Sequence, residues 1–243
     1  MIFCRNPAGG KPGEPMAIQN GDFIRLNYTG KSNSMVFDTT DEETSREAGI
    51  HSPQATYGPV TIRVGAHHVI LGLDEELVGK EVGDEGEAVI PPEKAFGAHD
   101  PSKVESFSKG SFKEKPKKGM TLKVPDRGEG TVVDVIGNRV LIDFNHPLAG
   151  KTLSYTYRIE EKVDGVIDQV QGLIRLYAGR EMETRFEDGV LTIVLPPGIN
   201  YDRRWVLWRS RVIHEGFEFI PEIREITLVE TFTRPEKGES PQE

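Results

Sequence analysis

Val69-Ile70-Leu71-Gly72-Leu73-Asp74-Glu75-Glu76-Leu77-Val78-Gly79-Lys80-Glu81-Val82-Gly83-Asp84 orders apolar, glycine and acidic residues in a pattern that chance rarely produces. Val69-Ile70 reads as the end of an extended run at a tight approach to Gly72. A short helix is expected over Leu73 to Val78, stopped by the left-handed conformation that Gly79 supplies. Such a segment puts apolar side chains and a free backbone N–H at the floor of a pocket.

Upstream, Asp22 to Tyr28 (DFIRLNY) alternates as a half-buried strand that Gly30 and Ser32-Asn33-Ser34 turn back into Met35-Val36-Phe37. Residues Asp41 to Pro53 are polar and without period, which predicts a solvent loop, and Val60 to Gly65 alternates again. Downstream, Gly83 to Ile90 reads as a strand ending at Pro91-Pro92. Composition shifts at about His99: seven lysines lie between Lys103 and Lys123, with Phe107 and Phe112 among them. Two apolar strands follow, Thr131 to Ile136 and Arg139 to Phe144, and Gly137-Asn138 between them is a tight hairpin signal. Leu153 to Ile159 alternates cleanly as the last strand of the first sheet. From Asp164, read as a helix cap, Val166, Ile167, Val170, Leu173, Ile174 and Tyr177 keep the helical period up to Gly179. Strands Met182 to Glu187 and Val190 to Leu195 meet at Asp188-Gly189. Asn200 is read as the cap of a second helix, with Trp205, Leu207, Trp208, Val212 and Ile213 on its dry face and Arg203, Arg204, Arg209 and Arg211 on its wet one. Glu222 to Phe232 returns as a strand.

The expected fold class is therefore α+β: an antiparallel sheet with a short helix, an inserted small β-rich module and a C-terminal α+β domain. The first domain is expected over 16–98 and 146–163, the insert over 99–145 and the C-terminal domain over 164–232. Residues 1–15 and 233–243 read as disordered, with translation starting at Met16. The 243 residues carry a net charge of -9, which argues against nucleic acid as a partner of the whole molecule. The only cysteine, Cys4, leaves no internal disulfide or multi-cysteine zinc site and fits a reducing cytoplasm. No apolar run approaches the ~20 residues that span a membrane, and residues 1–15 lack the apolar stretch of a signal peptide.

Several marks taken together carry a resemblance: Leu26-Asn27-Tyr28, Val36-Phe37-Asp38, the Gly72 segment through Gly83-Asp84, Ala95-Phe96-Gly97 before the insert and Asn145-His146-Pro147-Leu148-Ala149-Gly150 after it. The chain resembles FKBP-type peptidyl-prolyl cis-trans isomerases of the SlyD-like and long archaeal kind, in which a chaperone module interrupts the flap. The resemblance covers most of residues 17 to 163, and the portion beyond about 165 is similar to the extra domain of the long archaeal members. It implies catalytic roles for Tyr28, Phe37, Asp38, Ile70 and Phe96, and a substrate pocket completed by Ile62, Val69, Leu73 and Tyr155. Leu73 stands where many members have a tryptophan, and Phe96 where most have a tyrosine, which removes a donor that ligands use.

The implied reaction needs no metal or cofactor. Its partners would be unfolded or nascent proline-containing polypeptides, and the two tryptophans of the C-terminal domain suggest a homodimer. Adjacent His67-His68, as strand neighbours, would point to opposite faces and make no metal site. Two other classes of function stay open: a non-enzymatic holdase or scaffold with an isomerase-like pocket, and an RNA-associated factor using the lysine run with Phe107 and Phe112 as stacking rings.

Overall fold

The structure, a computed structural model, describes residues 17–234. The expected N-terminal extension, the start at Met16 and the tail beyond residue 234 lie outside the described residues. Strand β1 (Phe23–Ser32) turns through Asn33 and Ser34, both left-handed (φ 47° and 65°), into β2 (Met35–Thr39). Gly30 stays inside β1 rather than in the turn. Helix α1 (Glu42–Glu47) replaces part of the expected solvent loop. Asp41 caps it by accepting the Thr44 N–H at 2.7 Å, an Arg46–Glu42 pair spans one turn, and Ser45 is buried. Six residues are too few to show an apolar period, so it was not legible as a helix.

Strand β3 (Val60–Arg63) precedes a turn, and helix α2 (Leu71–Leu77) begins two residues earlier than expected. Val69-Ile70 therefore belongs to the turn and the helix cap, not to an extended run. The buried Asp74 explains the difference: its carboxylate accepts the Gly65 N–H at 2.9 Å and the His67 N–H at 3.0 Å, folding the chain back over the start of its own helix. Gly72 faces Ile90 of β4 (Glu85–Ile90) so closely that a Cβ would lie 2.4 Å from its Cγ2. The helix ends at Leu77, one residue sooner than expected, because Val78 is already extended; Gly79 after it is left-handed at φ 83°.

The insert holds β5 (Val104–Ser108), β6 (Thr121–Val124), β7 (Gly128–Ile136) and β8 (Arg139–Asp143) in one antiparallel sheet ordered β5-β8-β7-β6. Only its central hairpin is legible in the sequence, since β5 (VESFS) and β6 (TLKV) are short and carry few apolar residues. Phe107 and Phe112 pack edge to face, 6.3 Å apart, onto the core of Val124, Val132, Val140 and Ile142.

Strand β9 (Leu153–Lys162) returns to the first sheet between β1 and β4. That sheet runs β2-β1-β9-β4, with β3 also paired to β1 and every pairing antiparallel. Helix α3 (Val166–Ala178), β10 (Glu183–Glu187), β11 (Val190–Leu195), α4 (Arg203–Phe219) and β12 (Glu225–Glu230) complete the chain. Here β10 pairs antiparallel with β11, whereas α4 carries the chain across to a parallel β12.

The cap assignments need correction. Helix α3 is capped by Gly165, not Asp164, and Gln169 secures the entry by donating to the Val163 carbonyl at 2.9 Å. Asp202, not Asn200, caps α4 by accepting the N–H groups of Arg204 and Trp205, while Asn200 donates to Glu230. Only Trp205 and Val212 of the expected dry face are buried; Leu207 is 65% exposed and Trp208 46%. Phe23 and Val163 of the first sheet lie in the C-terminal core beside Trp205 and Leu173, so the two units share apolar packing.

Candidate active site

The first sheet and α2 enclose an aromatic cluster. Phe37, on β2, lies 5.8 Å from the ring of Tyr155 on β9 at 81° and 6.4 Å from Phe96 at 78°, and Tyr28 on β1 lies 5.8 Å from Tyr155. Such contacts pack hydrogen-bearing edges against electron-rich faces in one cluster. The Tyr28 hydroxyl donates to Asp38 Oδ2 at 3.2 Å. Val69, Ile70 and Phe96 are half-buried against the same cluster, whereas Ile62 and Leu73 keep 1% and 0% of their surface exposed. All nine residues named from the sequence thus converge. Ile62 and Leu73 lie beneath the rings in the core and offer no surface of their own.

The Ile70 carbonyl accepts the N–H groups of Leu73 and Asp74, both at 3.0 Å, but among the described residues nothing accepts the Ile70 N–H. A donor without a partner is thereby left on a residue that packs against the aromatic cluster. Burial above all, then the nearby Asp38 charge, drives the phenols of Tyr28 and Tyr155 well above their ordinary range, so both remain hydroxyl donors. Asp38 is reached by solvent along its edge, yet the apolar walls desolvate its carboxylate enough to raise its pKa. Its bonds from Tyr28 and the Thr39 amide lower it by less.

Two further residues shape the ring cluster. A Cβ at Gly30 would meet the Tyr155 ring at 2.8 Å and the Phe37 ring at 2.9 Å, so only glycine lets β1 pass beneath them. A lone glycine inside a strand pattern was the available signal. His146 stacks on Phe96 at 4.1 Å and 6°, tying the exit of the insert to a site residue, which no local pattern reveals. A groove of 710 Å³ begins at Phe37 and is lined by Met35, Ile50 and Leu148. A smaller crevice of 250 Å³ reaches Tyr28 and Asp38 beside Arg175 and Arg204.

An antiparallel sheet wrapped on one short helix, with packed rings of Tyr28, Phe37, Phe96 and Tyr155 beside an unbonded backbone N–H, is the arrangement against which the chain's relatives can be compared. The family model for FKBP-type peptidyl-prolyl cis-trans isomerases matches residues 14–118, that for the FKBP26 IF domain matches 106–148, and that for the FKBP26 C-terminal region matches 166–233. The short-type peptidyl-prolyl cis-trans isomerase of Methanocaldococcus jannaschii is 33% identical over 147 residues, which cover 59% of this chain and 93% of the relative. The FKBP-type isomerase SlyD of Helicobacter pylori is 30% identical over 42% of this chain and 57% of its own length. The FKBP-type 16 kDa isomerase of Escherichia coli is 28% identical over 60% and 93%. The chain belongs to the FKBP-type peptidyl-prolyl cis-trans isomerases. Among the described residues no helix is long and apolar enough to cross a membrane.

Proposed function

We propose that the protein accelerates rotation about X-Pro bonds of unfolded or nascent chains in the cytoplasm, gripping the prolyl ring among Tyr28, Phe37, Phe96 and Tyr155. The observation that carries this reading is the ring cluster beside the free Ile70 N–H. Amide resonance opposes rotation with a barrier of about 20 kcal/mol. Water favours the polar resonance form of the imide, so apolar walls that strip it away lower the barrier. The Ile70 N–H holds a substrate carbonyl, and the walls favour the twisted state over both planar ones. Asp38 fixes the Tyr28 hydroxyl; no proton needs to move.

The insert acts as the client-holding part. Its strands carry apolar residues on a thin core, with Ile136 62% exposed, and it joins the isomerase sheet next to Phe96. Holding a client there raises the local concentration of its prolines at the site. On the C-terminal unit, the exposed Val206, Leu207 and Trp208 of α4 support pairing of two copies.

A protease-coupled assay on a short X-Pro peptide tests the reading. Acceleration over the spontaneous rate, with a loss on the order of a hundredfold in Phe37→Ala, is expected. Peptide binding without acceleration would leave a holdase.

A further inference from the structure

His68 lies two residues before Ile70, in the turn between β3 and α2, and its imidazole is closed from solvent inside the C-terminal unit. The side chains of His68 and Glu215 are 1% and 0% exposed, and Nε2 of His68 lies 3.0 Å from Glu215 Oε2 on α4. Nδ1 accepts the Arg63 N–H at 3.1 Å at the end of β3, which places the ring proton on Nε2 and makes it the donor to Glu215. The other carboxylate oxygen accepts the Tyr177 hydroxyl at 2.7 Å and the Arg211 guanidinium. Burial, with that bond to Glu215, pushes the Tyr177 phenol up to about 12, so it stays a donor. The rings of Tyr177 and Phe219 pack against His68 at 6.0 and 6.1 Å.

Between His67, which Asp74 holds, and Ile70, this is the side-chain fixture found among the described residues. Among the described residues no acceptor is bonded to the backbone N–H of His68, Val69 or Ile70, and Asp74 secures the turn only as far as His67. His67 itself is held left-handed at φ 58°, a conformation that needs neighbours to maintain it.

We propose that Glu215 is a positioning residue of the isomerase site: through His68, the C-terminal unit sets the Val69-Ile70 segment so that the Ile70 N–H meets a substrate carbonyl. The inference rests on the pocket reading above and adds that the C-terminal unit takes part in catalysis by holding one wall of the site.

The test compares full-length Glu215→Ala, Glu215→Gln and Phe37→Ala, with Gln169→Ala as a control that removes a junction bond sharing no partner with His68. Each is assayed for kcat/KM and for the dissociation constant of one X-Pro peptide. Glu215→Ala should lower kcat/KM roughly tenfold and weaken peptide binding in proportion, because the displaced group is a binding donor. Glu215→Gln should recover to within about threefold, since its amide oxygen can accept from His68 while its NH2 donates to the Tyr177 oxygen and the half-exposed Arg211 turns out to solvent. Gln169→Ala should match the wild type. If Glu215→Ala does not fold, His68→Phe removes the same bond while leaving Glu215 paired, and the same loss is expected. Wild-type kinetics in Glu215→Ala or His68→Phe, with Phe37→Ala impaired, would overturn the inference and leave the pocket reading standing. Equal losses in Glu215→Ala, Glu215→Gln and Gln169→Ala would reduce it to general loosening. Unchanged catalysis in both Phe37→Ala and Glu215→Ala would overturn the pocket reading and this inference together.

Discussion

Gly30 carries no chemistry, yet it decides whether Tyr155 and Phe37 can close over β1, because any Cβ there overlaps both rings. Gly30→Val should lower kcat/KM about tenfold or more by displacing them, with the far-UV circular dichroism of the native sheet retained. Two carboxylates give opposite pH signatures. Asp38 has a raised pKa, so its contribution to stability is present below the ordinary value of 3.8 and is lost as pH rises through the raised one. Asp38→Asn should therefore melt at a higher temperature than the wild type at pH 7 and lose that advantage in acid. Glu215 is pushed up by burial, but the bonds from His68, Tyr177 and Arg211 win and lower its pKa. Its contribution is present above 4.5 and lost as pH falls through the lowered value. A melting-temperature series from pH 7 to pH 3 should show a shallower acid limb for Glu215→Gln than for the wild type. At this scale the aromatic positions and Asp38 were legible because local motifs carry them. The His68–Glu215 link was not: 147 residues separate the partners, and nothing local marks either as buried.

The elements show the same division. Strands β1, β4 and β9 alternate strongly and were readable, as was the apolar period of α3. Helix α1 escaped because capping, not apolar period, creates it, and α4 was given too dry a face because its burial follows Trp205, Val212, Gly216 and Phe219 while Leu207 is exposed and Trp208 stacks on Tyr177 at the surface. Caps at Gly165 and Asp202 in place of Asp164 and Asn200 reflect competition among neighbouring cap formers that only the entry angle of the chain resolves. The insert is fastened by a narrow neck, where Asp100 and Asn145 exchange hydrogen bonds of 3.0 and 2.9 Å. Those ends already meet, so removing residues 101–144 and closing the gap should leave kcat/KM for a short peptide within about twofold, while catalysed refolding of a proline-limited protein drops at least tenfold through lost effective concentration. Equal losses on the two substrates would contradict the proposed division of labour.

Across the whole molecule, three sheets share the work unequally. The isomerase sheet and the C-terminal unit are joined by common packing around Phe23 and Val163 and by the buried His68–Glu215 bond, whereas the insert keeps its own small core of four fully buried side chains. The insert should accordingly be the least stable part, exchanging its amide hydrogens before β1 and β9 do. Pairing through α4 predicts that sedimentation of the wild type shows a dimer and that Leu207→Glu, placing charge on an exposed apolar position, shifts it to monomer without loss of peptide activity. The central claim is that X-Pro bonds rotate against the ring cluster beside the Ile70 N–H. Its most direct test is exchange NMR of an X-Pro peptide titrated into the labelled full chain. Faster cis–trans exchange should appear together with the largest amide shifts at Tyr28, Phe37, Ile70 and Tyr155; exchange at the spontaneous rate, or acceleration with shifts that avoid these residues, would contradict the account.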